Sequence, residues 1–155
     1  MNIDEIMTRE PTCCAPEMDL AEVAAMMVVE DCGQIPVCGN GSLKPIGVIT
    51  DRDIVCRAVA KRRNPTATKV SGCMSKPCVV IPRDATVEEC CRLMEKHLVR
   101  RLPVVDENGE LCGVVSLADV ATHSHGAPLT GQVIQTISQR TESARRHEPA
   151  QSRAA

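Results

Sequence analysis

Ile35-Pro36-Val37 recurs 67 positions later as Leu102-Pro103-Val104, and these two stretches decide how the chain folds. At the same offset Met7 matches Met74, Asp19 matches Thr86, Glu22 matches Glu89 and Met27 matches Met94. After a loop one residue shorter in the second copy, Gly47-Val48-Ile49-Thr50 matches Gly113-Val114-Val115-Ser116, and Asp53 matches Asp119. A period this long exceeds that of a solenoid unit and suits an internally duplicated α/β domain.

Each copy carries the same local signals. Asp19-x-x-Glu22 and Thr86-x-x-Glu89 have capping-box spacing, in which the cap side chain and the acid three residues on satisfy each other's backbone amides. Leu20, Val23, Ala24 and Met27 then share one helix face, as do Val87, Cys90, Cys91 and Met94 in the second copy. Short strands follow at 34–38 and 101–105, then turns at Gly39-Asn40-Gly41 and Asp106-Glu107-Asn108-Gly109. Second strands run through Gly47 to Thr50 and Gly113 to Ser116, and final helices start at Asp51 and Leu117. A short strand around 12–15 and 78–81 precedes the first helix of each copy.

The predicted fold is therefore α/β (α+β): two tandem β-α-β-β-α repeats, over 3–62 and 69–124, packed with pseudo-two-fold symmetry. In the tail, 130–155, Val133, Ile134 and Ile137 at helical spacing predict a short docking or dimer helix. After Gln139 the chain turns polar and rich in Arg, Ser and Ala, which predicts disorder.

Composition excludes several functions. The 155 residues are 43% hydrophobic and 25% charged, with no Trp, Tyr or Phe but ten Cys and seven Met. The core must be aliphatic and sulfur-based, and no Phe, Tyr or Trp ring is available for stacking a base. With Lys+Arg 18 against Asp+Glu 20 the net charge is −2, so the basic footprint of a nucleic-acid binder is missing as well. No apolar run reaches the ~18 residues of a membrane span. Met1-Asn2-Ile3-Asp4-Glu5 lacks the basic and apolar start of a signal peptide. These features predict a cytoplasmic protein whose cysteines act mostly as small hydrophobes.

No Ser/His/Asp order, Walker loop, metal cage or paired catalytic carboxylates stand out, which predicts a non-enzyme without a resident cofactor or metal. His123-Ser124-His125 reads as charge favouring a helix C-terminus rather than as metal ligands. The chemistry-bearing positions are instead Thr50 with Asp53, and Ser116 with Asp119. Each hydroxyl stands at a strand-to-helix junction, where free backbone amides favour an anion. Each carboxylate, three residues on, lies on the same face of the first turn and can accept two hydrogen bonds, as a ribose diol requires. The same spacing is also that of a plain helix cap.

The β-α-β-β-α order, the h-P-V strand and G-h-h-[TS]-x-x-D resemble a cystathionine β-synthase (CBS) repeat, and two in tandem resemble a Bateman module over roughly 3–123. The stretches from Leu43 to Val55 and from His97 to Val104 are similar to small stand-alone bacterial CBS proteins of the hypoxic-response type. The resemblance implies a dimeric cytoplasmic sensor that binds an adenosine-containing ligand (AMP, ATP, NAD or S-adenosylmethionine) and acts on a protein partner that the chain does not reveal. It implies phosphate contacts for Thr50 and Ser116, ribose contacts for Asp53 and Asp119, and a phosphate contact for Arg101, just before the second h-P-V strand. Ile35, Pro36, Val37, Leu102, Pro103 and Val104 are either adenine-slot walls or core.

Copy one places acidic Asp51 and Arg52 between Thr50 and Asp53, where copy two has neutral Leu117 and Ala118, so copy two is the expected phosphate site. The closeness of the first two strands in a CBS repeat implies that Cys13 and Cys38 could form a disulfide. The alternative function is a ligand-free dimer scaffold or a redox-responsive stress or interaction protein.

Overall fold

Asp19 and Thr86 cap their helices as their spacing requires. The amide of Glu22 donates to Asp19 Oδ1 at 2.9 Å and Glu22 Oε2 accepts from the Asp19 amide at 3.1 Å. The second box is its counterpart, with bonds of 3.2 and 2.8 Å between Thr86 and Glu89. The Thr86 amide, and after it the Thr86 hydroxyl, hold the Glu89 carboxyl below the usual carboxylate range. From these caps run α1 (Leu20–Val29), which buries Leu20, Val23 and Met27, and α3 (Val87–His97), which buries Val87, Cys90, Cys91 and Met94.

The computed structural model describes residues 1–39, 41–123 and 131–138. Its strands are β1 (Thr8–Arg9), β2 (Gln34–Cys38), β3 (Pro45–Thr50), β4 (Ile81–Pro82), β5 (Arg101–Val105) and β6 (Leu111–Ser116). The helices α2 (Asp51–Arg57) and α4 (Leu117–His123) close the repeats, and residues 131–138 form a fifth helix, α5. β2 and β3 pair antiparallel with Pro36 opposite Val48, and β5 and β6 do the same with Pro103 opposite Val114.

The duplication has a feature that the repeat pattern leaves out: each repeat's leading segment crosses to the other repeat. β1 lies on β6, with Thr8 opposite Val114, giving a sheet ordered β1-β6-β5-β4. At the matching place Ser75 bridges Val48, exchanging backbone bonds of 3.0 and 2.8 Å. Each core is consequently shared. Ile3, Ile6 and Met7 pack in the core of repeat 2, while Val70 and Cys73 pack in the core of repeat 1.

Two glycines make the crossings possible. A Cβ on Gly47 would stand 2.8 Å from the Ser75 carbonyl oxygen. One on Gly113 would overlap the Met7 sulfur and stand 3.1 Å from the Thr8 carbonyl oxygen. The matched pairs Gly47 with Met74 and Gly113 with Met7 are thus two copies of one contact.

The strand expected around 78–81 is β4, parallel to β5. Its counterpart around 12–15 shrinks to one bridge, Cys14 to Val37. The cause is Pro16, which matches Arg83: the Arg83 amide donates to the Val105 carbonyl at 3.0 Å, and proline has no N–H to do the same. Asp4 ties the leading segment to repeat 2 through Arg83 at 2.6 Å and to Arg9 at 2.8 Å. The Arg9 hydrogen bond leads in holding its carboxyl below the usual range. Helix α5 docks on the chain's own second repeat, with Val133 and Ile137 in that core and Ile134 half exposed. The stretch expected to be disordered, beyond residue 138, lies outside the described residues.

Gly47→Ala should cost about 1–3 kcal/mol by overpacking against backbone, seen as a melting temperature lower by roughly 3–10 °C. Gly113→Ala should cost less, because the Met7 thioether can move. Equal stability of Gly47→Ala and the parent chain would contradict the crossing geometry.

Candidate functional site

Thr50 and Ser116 occupy the same local position, and each serves as a helix cap. The Asp53 amide donates to Thr50 Oγ1 at 3.0 Å, and Asp53 Oδ2 accepts from the Thr50 amide at 3.0 Å. The Asp119 amide donates to Ser116 Oγ at 3.2 Å, and Asp119 Oδ2 accepts from the Ser116 amide at 2.7 Å and from Ser116 Oγ at 2.7 Å. Up to this point both copies are capping boxes.

They differ in what else reaches the carboxylate. Asp53 is 8% exposed. Ser75 Oγ donates toward both its oxygens at 3.3 and 3.4 Å, and Arg57 pairs with Oδ1 at 3.3 Å. Arg57 in turn donates to the Cys73 carbonyl at 2.7 Å. Asp53 therefore clamps the crossing segment 73–75 to α2. The residue matching Arg57 is His123, whose ring nitrogen meets the Asp119 backbone carbonyl at 3.1 Å rather than its carboxylate. Among the described residues, Asp119 Oδ1 has no hydrogen bond or ion pair, and the side chain is half-buried.

That open carboxylate faces a cleft of about 270 Å³ between the repeats. Ser116, Asp119 and Arg101 line it from repeat 2; Thr12, Gln34, Ile35 and Pro36 line it from repeat 1. The crossing of β1 brings these walls together, with Thr8 beside Val114 at the cleft. Gln34 Nε2 is fully buried and finds no hydrogen-bond partner among the described residues, a situation that costs about 1–3 kcal/mol when nothing relieves it. Of the candidate wall residues, Ile35 and Pro36 border this cleft, Ile35 from within the repeat 1 core that also encloses Val37; Leu102 and Val104 are fully buried in the repeat 2 core and Pro103 is buried on β5. Arg101 is exposed and on the side of Ser116 and Asp119.

Sequence reasoning missed Gln34, Thr12, Glu30 and Asp31, all of which line the cleft. Gln34 was within reach of the repeat pattern, because it matches Arg101 at the 67-residue offset. The other three sit in the connections flanking the first helix, where the two copies share no motif.

Cys13 and Cys38 are both thiols here, with Cys13 within hydrogen-bonding reach of Cys38 and Cys14 and Cys78 nearby. Burial pushes the Cys38 and Cys14 thiols up to about 12 and that of Cys78 to about 11, so these three are poor nucleophiles at neutral pH. Among the described residues, no group of three or more His, Cys, Asp or Glu side chains could hold a metal ion. Ser124 and His125 lie outside the described residues. No helix among the described residues is long and apolar enough to cross a membrane.

Comparison with known proteins matches two copies of the CBS domain, at residues 3–59 and 70–126. The CBS domain-containing protein YhcV of Bacillus subtilis is 35% identical over 137 residues, 88% of this chain and 95% of that protein. Uncharacterized protein MK0525 of Methanopyrus kandleri is 32% identical over 120 residues, 77% of this chain, and this chain spans only 61% of its length. Hypoxic response protein 1 of Mycobacterium tuberculosis is 33% identical over 119 residues, 77% of this chain and 82% of that protein. A crystal structure of Hypoxic Response Protein I with two coordinated zinc ions superposes with a TM-score of 0.73, covering 80% of this chain and 99% of that one. The CBS domain protein PAE2072 of Pyrobaculum aerophilum, complexed with AMP, shares the fold with a TM-score of 0.74 at 23% identity, covering 87% of this chain and 99% of that one. The chain belongs to the CBS domain family, as a tandem pair of repeats.

Proposed function

We propose that this CBS pair is a non-enzymatic regulatory module that binds an adenosine-containing ligand in the cleft at Ser116 and Asp119. The observation that carries the reading is the unequal use of two matched carboxylates: Asp53 is consumed by Ser75 and Arg57, and Asp119 keeps an oxygen open to a cleft. An acceptor so placed suits a ribose hydroxyl, and Ile35 with Pro36 supplies an apolar wall for a base in a chain that has no Phe, Tyr or Trp. The AMP complex of a protein with the same fold supports the ligand class. Binding between the repeats would act on their relative position, which a partner protein reads in the cytoplasm.

We propose further that the module pairs with a second copy through α1 and α2. Val28 and Val29 are 80% and 82% exposed, and Val55 and Val59 are each 55% exposed, an apolar surface that a second copy would cover. A second reading, a redox-responsive scaffold, rests on the adjacent Cys13 and Cys38 thiols.

Under reducing conditions an adenosine compound should bind the full chain, and Asp119→Ala should weaken it about 10–100-fold, the loss of a hydrogen bond to a charged group. Asp53→Ala should lower the melting temperature by about 4–8 °C, as loss of about 2 kcal/mol does in a chain of this size, and should weaken binding far less. Equal loss of affinity in the two variants, or no affinity for AMP, adenosine, NAD or S-adenosylmethionine, would sink the reading. In sedimentation, the parent chain should be a dimer and the Val28→Glu, Val29→Glu double variant a monomer; a dimer that survives places the interface elsewhere. Mild oxidation that removes two hydrogens, mapped to a Cys13–Cys38 peptide and accompanied by a change in assembly, would favour the scaffold instead.

A further inference from the structure

The duplication supplies an internal comparison for the charge of the cleft. Glu30 and Asp31, on its repeat 1 wall, match His97 and Leu98 in repeat 2, and Gln34 matches Arg101. Asp31 and Leu98 both adopt left-handed backbone, with φ of 47° and 56°. The corner therefore accommodates an apolar side chain, and its backbone does not dictate the acid. Glu30 is held on the wall by Thr12 Oγ1, which donates to its Oε1 at 2.8 Å.

Among the described residues the cleft thus presents three carboxylates, half-buried Asp119 with Glu30 and Asp31 at its exposed rim, against Arg101 as the sole lining cation. A phosphate dianion placed there meets more negative than positive charge, and the imbalance grows with each added phosphate. Gln34 is neutral where its repeat 2 counterpart is basic, and its Nε2, enclosed and with no acceptor among the described residues, turns to the cleft by rotation of the side-chain amide. An uncharged oxygen or ring nitrogen of a ligand would satisfy it. The volume, about 270 Å³, falls just under the ~300 Å³ at which drug-sized sites begin, which suits a single nucleoside better than a dinucleotide.

Resting on the reading that this cleft binds an adenosine compound, we propose that its ligand is a nucleoside whose 5′ substituent is neutral or cationic, such as a thioether or sulfonium, and that Gln34 contacts it directly. Glu30 and Asp31 act as the specificity-determining pair, rejecting phosphate.

The test is calorimetric titration of the full chain, under reducing conditions, with 5′-methylthioadenosine, S-adenosylmethionine, AMP and ATP at low and high salt. The thioether or the sulfonium nucleoside should bind at least about 10-fold more tightly than AMP, and ATP should be weaker still. AMP affinity should rise with salt, because screening relieves repulsion; attraction to an arginine site would give the opposite sign. The Glu30→Gln, Asp31→Asn double variant should narrow the gap by raising AMP affinity, and Gln34→Leu should weaken the nucleosides about 3–10-fold. AMP or ATP binding as tightly as the thioether, with affinity falling as salt rises, would overturn this selectivity and leave adenosine binding intact. Failure of all four to bind would overturn both.

Discussion

The structure depends on two places where backbone passes over glycine. At Gly47 the crossing strand of repeat 2 comes within 2.8 Å of where a Cβ would stand, and at Gly113 the leading segment of repeat 1 does the equivalent. A side chain at Gly47 would press directly on the backbone of the crossing segment, whereas at Gly113 it would first displace the Met7 side chain. Because the segments are exchanged, neither core closes without the other repeat: Ile3 and Met7 fill one, Val70 and Cys73 the other. The exchange also builds the cleft, since Thr8 and Thr12 reach Ser116 and Asp119 only because β1 lies on β6.

Duplication ordinarily yields two equal sites, and here it does not. The copies share the capping box at the helix start and then part at two contacts, Arg57 against His123 and Ser75 against Thr8. Arginine turns the first aspartate inward as a clamp on the crossing segment. Histidine leaves the second aspartate facing the cleft. Asp53 is enclosed but Arg57 is 43% exposed at its side chain, so the pair acts less as a buried ion pair than as a bracket: Arg57 also holds the Cys73 carbonyl and so secures the crossing segment of the other repeat. Under the proposed function, stability and binding fall to different copies of one motif.

Much of this was legible in the residues. The caps at Asp19, Glu22, Thr86 and Glu89, the paired strands and the helix starts at Asp51 and Leu117 all follow from local rules, because caps and turns are decided by near neighbours. The exchange of leading segments was not legible, because the pattern that places Met7 beside Gly113 looks the same whether the contact lies within a repeat or across repeats. Nor could sequence say that Val37, Leu102 and Val104 lie wholly in the cores while Pro36, on the other face of β2, borders the cleft. Alternating strand residues take opposite faces, and which face is covered depends on packing between the repeats. The shortened first strand was readable in principle, from Pro16 standing where Arg83 supplies an amide.

The central claim is that one cleft, at Ser116 and Asp119, takes the ligand, while the matched position at Thr50 and Asp53 holds the fold. Backbone amide chemical shifts, recorded by NMR as an adenosine compound is added, test it most directly. The account predicts that the amides of Gln34, Ile35, Ser116 and Asp119 move together and saturate with one affinity, while those of Thr50 and Asp53 stay near their starting positions. Shifts concentrated at Thr50 and Asp53, with Ser116 and Asp119 unmoved, would contradict it.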